Sequence, residues 1–201
     1  MFPEIFSARD ARRSIDGFVE GLVIKYADAL TAMSQPFLKT LVWIEMVLRT
    51  APWWSIIIAV VVLAYLASRR IGFSIAMGFL LFLLGSIGLW EEGMQTLSLM
   101  IMATALSILI GIPLGIITGK SKAVRSVMLP TLDVMQTMPS FVYLIPVVML
   151  FGLGKIPAII ATVIYAVPPL IRLTDLGIRL VDKEVLEASR SFGANSWQQL
   201  F

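Results

Sequence analysis

Only ten charged side chains occur between Ala51 and Leu173, gathered at Arg69-Arg70, Glu91-Glu92, Lys120 to Arg125, Asp133, Lys155 and Arg172. The residues between them are overwhelmingly aliphatic or aromatic. A hydrocarbon core of roughly 30 Å takes about 20 mostly apolar residues in a helix, because lipid offers the backbone no hydrogen-bond partners. Five stretches approach that length, at about 53–68, 71–89, 96–117, 134–153 and 156–173, the first and last being short. The whole chain is 58% hydrophobic and 14% charged, where a soluble domain carries about 25% charge. An ordinary soluble domain is therefore excluded. The expected architecture is all-α, a polytopic membrane helical bundle.

The loops between these stretches differ in sign. On one side fall Arg69, Arg70, Lys120, Lys122, Arg125, Arg172, Arg179, Lys183 and Arg190; the other short loops carry Lys155 alone. Basic loops stay cytoplasmic, so residues 174–201 are expected inside the cell and the N-terminus outside. Residues 1–52 read as an extracytoplasmic or interfacial segment. Arg9, Asp10, Arg12, Arg13 and Asp16 interrupt its apolar run, so no cleavable signal peptide is expected. Within it, Phe37, Leu38, Leu41, Val42, Ile44, Val47 and Leu48 recur at near-helical spacing, predicting an amphipathic helix over 36–50 that is too short to span.

Cys and His are both absent, which removes disulfides, Cys/His metal sites, thiol nucleophiles and His-dependent triads. No metal site and no nucleic-acid partner are expected. No acid or lysine sits in mid-span beside a serine, which argues against an intramembrane enzyme. Asp133 is the one ionisable candidate for an ion-coupled secondary carrier of small zwitterions, the alternative transport reading.

Candidate functional residues fall in three places. Gly111, Pro113 and Gly115 lie inside the third span and Pro168-Pro169 near the end of the fifth. Each group reads as a packing kink or as a hinge, since proline removes a backbone donor and glycine admits a neighbouring helix. Gln136, Thr137, Ser140 and Tyr143, with Asp133, place polar groups in the apolar run Leu129 to Tyr143, which contains Pro130 and Pro139. They line a translocation path if they lie at membrane depth, or form a cytoplasmic interfacial turn if they do not. In the tail, Asp182 suits a helix start with Glu184 in its first turn, Gly193 suits a left-handed stop, and Asn195-Ser196 suits a second cap.

That tail carries Glu187-Ala188-Ser189 followed by Gly193-Ala194, which resembles the "EAA…G" loop of binding-protein-dependent ATP-binding-cassette importer permeases. Ile110 to Ile116, Met135 to Gly152, Tyr165 to Thr174 and Glu187 to Ala194 resemble, in order, the glycine betaine/proline betaine (quaternary amine) branch. The resemblance implies a type I, MetI-like permease fold, with a transmembrane type-1 domain from about residue 95 and residues 174–201 as the loop that couples to a cytoplasmic ATPase. Ser189 stands where the motif has a second alanine, a small-for-small change. Further partners implied are an extracytoplasmic substrate-binding protein, a second permease copy and the lipid bilayer of the bacterial inner membrane. Substrates implied are glycine betaine, proline betaine, choline or carnitine, whose ammonium groups favour aromatic faces; that recognition falls mostly to the binding protein, and Phe141, Tyr143 and Tyr165 read as packing residues before ligand contacts. The chain has no Gly-x-x-x-x-Gly-Lys-Ser/Thr loop, so it is expected to hold no cofactor, with ATP bound by the partner. The family pattern continues past the loop, so the chain reads as a permease truncated at its C-terminus.

Overall fold

The computed structural model describes residues 8–195 and 197–199. Among them the regular structure is helical throughout: α1 (Ala8–Thr50), α2 (Trp53–Ser68), α3 (Ile71–Ser86), α4 (Trp90–Lys120), α5 (Lys122–Thr137), α6 (Ser140–Phe151), α7 (Lys155–Arg179) and α8 (Lys183–Ser191). The chain forms two compact units, one containing α1 to α3, α4 up to Met102, and Val148–Ile159, the other Ala103–Val147 and everything from Ile160 on.

In the first unit, α1 is longer than the predicted 36–50 helix, and Pro36 lies inside it instead of opening it. Among its described side chains Leu41 and Glu45, one turn apart, are buried, while Phe37, Leu38, Val42 and Val47 are exposed. At Ala51-Pro52 the chain turns through 106° into α2. Pro52 serves as N-cap with ψ 134°, because its ring cannot extend the preceding helix. The apolar run of α2 stops at Arg69, whose left-handed conformation (φ 55°) closes the helix with an N–H bond to the Tyr65 carbonyl. α3 then packs on α2 where Gly78 meets Val61. Trp90, the first residue of α4, lies over Gly85, and Gly93 is seated against Leu84.

The second unit holds the C-terminal halves of α4 and α7 with α5 between Ser121 and Met138. Ser121 caps α5 by accepting from the Val124 N–H at 3.3 Å. Leu132, Val167 and Ile171 form the buried core, with Leu114, Met128, Leu129, Met135 and Val163 packed around it. The hydroxyls of Ser107 and Thr118 donate to carbonyls one turn back in α4, at 2.7 Å each. Such polar residues can thus be buried within an apolar helix without a lost hydrogen bond.

The stretch expected as one span at 134–153 is divided. α5 and α6 meet at an angle of 89°, with Met138 extended at φ −78° and ψ 132°. The cause is local: Pro139 disfavours helical backbone at the residue before it. α4 and α7 are each long and apolar enough to cross a membrane.

Candidate functional site

The tail residues that carry the EAA-like pattern are built on α8. Asp182 accepts from the Glu184 N–H at 3.0 Å and caps the helix. Glu184 in the first turn and Arg190 in the last complement the helix dipole. At the other end Gly193 has φ 81°. Its N–H bonds to the Arg190 carbonyl at 2.9 Å, and the Ala194 N–H reaches back to the Ser189 carbonyl at 3.0 Å. This double closure is a Schellman motif, and it needs a residue comfortable in the left-handed region at position 193.

Asn195 follows as a second cap. Its side-chain oxygen accepts from the N–H groups of Trp197 and Gln198 at 3.0 and 2.9 Å, and the Gln198 side chain returns a bond to the Asn195 N–H at 2.8 Å. The reciprocal pattern is that of a capping box. Residues 197–199 form a turn here, and Ser196 lies outside the described residues.

α8 has two sides. Leu186 and Arg190 line a cavity of about 370 Å³ with Lys120, Ile178, Val181 and Gln199, and Ser189 is half-buried, its hydroxyl donating to the Leu186 carbonyl at 2.8 Å. Val185, Glu187 and Ala188 are exposed, and Phe192 is 93% exposed. An aromatic ring so fully presented to solvent, together with exposed Val185, gives α8 an apolar side that the described residues leave open.

Gly111 and Gly115 belong to a ladder. The side chain of Leu170 lies against Gly111, Thr174 against Gly115 and Ile178 against Gly119. The contacts advance by four residues on both helices, so α4 and α7 run in the same direction here with their backbones close, as small residues in membrane helices permit. Pro168 is fully buried and Pro169 exposed, both inside α7; Pro113 is exposed on α4.

The polar group at 136–143 surrounds the α5–α6 bend. Gln136, Thr137 and Ser140 are exposed, and the Thr137 hydroxyl donates to the Val134 carbonyl at 2.9 Å. Tyr143 is half-buried and its hydroxyl donates to the Met135 carbonyl at 2.8 Å. It thereby satisfies one of the carbonyls that the end of α5 leaves open.

Two ion pairs join α5 to α7. Arg125 Nε lies 3.1 Å from Asp175 Oδ2, and Arg172 pairs with Asp133. The Asp175 side chain is only 5% exposed. Asp133 is thus neutralised by a fixed cation, which does not suit the coupling ion of a carrier. Sequence reasoning missed the pairing itself. The signal was present, since Arg125 and Asp133 are eight apart and Arg172 and Asp175 three apart, both spacings that keep two charges near one helix face. In the first unit, buried Glu45 pairs with Lys155 and, at 3.4 Å, with Arg49, which also meets Glu91.

Among the described residues no cluster of acidic side chains could hold a metal ion.

Residues 111–201, which contain the ladder, both α5–α7 ion pairs and α8, match the family described as the binding-protein-dependent transport system inner membrane component. This stretch belongs to that family. Its relatives are permeases. The chain is 46% identical over 146 residues to the glycine betaine/proline betaine transport system permease protein ProW of Escherichia coli K12, covering 72% of this chain and 41% of ProW. It is 37% identical over 185 residues to the glycine betaine transport system permease protein OpuAB of Bacillus subtilis, covering 92% of this chain and 61% of OpuAB. It is 41% identical over 156 residues to the trimethylamine N-oxide transport system permease protein TmoV of Pelagibacter ubique, covering 78% of this chain and 21% of TmoV. The chain thus spans less than two thirds of the length of each. The binding-protein-dependent permease family, together with the apolar helices, makes this a multi-pass inner-membrane helical bundle.

Proposed function

We propose that the chain is the membrane-spanning permease subunit of an ATP-binding-cassette importer for glycine betaine or a related quaternary amine or amine oxide. The observation that carries the reading is α8. Within the family-matched stretch, Glu187, Ala188, Ser189, Gly193 and Ala194 occupy a capped, Schellman-closed helix whose outer side leaves Val185 and Phe192 uncovered. A short rigid helix with an unpartnered apolar side is suited to seat in a cleft of a cytoplasmic ATPase, which binds and hydrolyses the ATP. Closure of two such ATPases would move two permease copies between outward and inward access, with an extracytoplasmic protein delivering the solute.

The names of the relatives support the substrate class: glycine betaine, proline betaine and trimethylamine N-oxide each place methyl groups on a four-coordinate, formally positive nitrogen. Residues 174–201 are assigned to the cytoplasm and the N-terminus to the outside, in line with the nine basic residues of the expected inner side. Five crossings are assigned to α2, α3, α4, the bent α5–α6 pair and α7. Gln136, Thr137, Ser140 and Tyr143, at the bend, are assigned to the path, and Pro113, Pro168 and Pro169 to the flexing of α4 and α7.

The test is uptake of labelled glycine betaine into proteoliposomes holding the complete transporter with its ATPase and binding protein. ATP-dependent uptake that vanishes without either partner supports the assignment. Uptake that ignores ATP and follows an ion gradient refutes it.

A further inference from the structure

A second feature of the C-terminal unit shares only Lys120 with the cavity beside α8. A groove of about 540 Å³ lies where α4 ends and α5 begins, and its polar lining includes Lys120, Lys122, Arg125, Ser126 and Arg179. No carboxylate lines it. Arg125 is held through Nε by Asp175, and no carboxylate pairs with Lys120, Lys122 or Arg179 among the described residues. Three unneutralised cations and one anchored guanidinium therefore converge on one concavity. Their mutual repulsion is relieved by an anionic occupant, and charge-assisted bonds to phosphate oxygens are the strong ones. The start of α5 adds to the field, since Ser121 takes up only the Val124 amide and the helix dipole is positive there.

What surrounds the groove decides the source of the anion. Leu129 and Pro130 form its apolar side. On the next face of the same helix, Ala123, Val124, Val127, Met128 and Thr131 line a second, open groove of about 540 Å³, with Val127 69% exposed. A cationic hollow adjoining an apolar furrow, at the end of a membrane-crossing helix, matches an amphiphile with an anionic head and an acyl tail. Basic pockets between spans take anionic headgroups in this way.

We propose that this groove is a specific site for an anionic phospholipid. The phosphate lies among Lys120, Lys122, Arg125 and Arg179, and one acyl chain lies along Val127 and Met128. The inference needs the chain's membrane placement and does not depend on the transported solute.

The experiment is native mass spectrometry of the full chain in neutral detergent, titrated with phosphatidylglycerol and with phosphatidylcholine of the same acyl composition. A parallel arm adds inorganic phosphate. The variant is Lys120→Gln/Lys122→Gln/Arg179→Gln, which leaves the Arg125–Asp175 pair intact. The control is Arg69→Gln/Arg70→Gln, which removes exposed basic charge elsewhere. The expected result is preferential retention of phosphatidylglycerol, weakened about a hundredfold at low salt in the triple variant and unchanged in the control, each cation contributing roughly fivefold. Inorganic phosphate should not displace the lipid. Equal binding of the two lipids, equal loss in the control, or displacement by inorganic phosphate overturns the proposal. So does a triple variant that keeps its lipid but loses capture of its ATPase, which would make the groove a protein dock. If the triple variant fails to fold, Lys122→Gln alone carries the same test at about fivefold.

Discussion

A Cβ built on Gly115 of α4 would sit 2.4 Å from the Thr174 Cβ of α7 and 3.0 Å from the Ile171 carbonyl oxygen. Two of the three contacts are backbone-like and cannot rotate away. The same construction on Gly111 meets the flexible end of Leu170 at 2.8 Å, and on Gly119 it meets Ile178 at 3.2 Å. Gly115→Ala should therefore be the costliest of the three alanine substitutions, at about 1–3 kcal/mol, with Gly111→Ala milder and Gly119→Ala mildest. Thermal unfolding of the purified protein in detergent checks the order. Equal effects at all three positions would show that α4 and α7 do not approach as described.

Asp175 is buried against Arg125, and removing one partner strands the other. Asp175→Ala should cost about 3 kcal/mol, while Arg125→Met/Asp175→Leu should recover most of that loss, since an apolar pair needs no desolvation of charge. A double-mutant cycle measures the coupling. An additive cycle would mean that the pair contributes nothing.

The bend at Met138-Pro139 has a single local cause, so relieving it should straighten the chain. Pro139→Ala lifts the restriction on Met138 and should let α5 and α6 join. Spin labels at Val127 and Ile145, exposed positions on the two arms, should move apart. Unchanged distances would show that tertiary packing, with the Tyr143–Met135 bond, imposes the angle.

Gly193 has φ 81°, where a side chain costs about 1–2 kcal/mol and asparagine is tolerated best. Gly193→Val should weaken ATPase co-purification and uptake in the complete transporter, while Gly193→Asn retains much of both. Equal behaviour of valine and asparagine would remove the conformational argument for this position.

Buried Glu45 holds Lys155 and Arg49. Glu45→Gln keeps the shape but loses the charge for both cations and should lower the unfolding temperature more than Glu92→Gln, an exposed carboxylate near the same place in sequence. Equivalent melting curves would assign the cluster to the surface.

How much of this was readable from residues alone differs by element. The limits of α2 follow from an apolar run stopped by Pro52 on one side and Arg69-Arg70 on the other, and Asp182 and Gly193 bracket α8 by their own chemistry. These are local signals. Hydropathy averaged over 134–153 hides the α5–α6 bend, because Met138, Pro139 and Ser140 barely lower the mean; the proline itself held the information. Gly111 and Gly115 are visible as small residues, but their partners Leu170 and Thr174 are fixed only when two helices distant in sequence meet. The same holds for Asp133, conspicuous as a lone acid and unremarkable once Arg172 lies beside it.

The glycine ladder sets what the C-terminal unit can transmit. Three seats recur at one-turn spacing on both helices, so α4 and α7 cannot creep along one another by a fraction of the 5.4 Å pitch without unseating all three together. α8 begins at Lys183, just beyond the end of α7 at Arg179. If α8 is where an ATPase pulls, the load would enter at the end of α7 and meet α4 at these three seats.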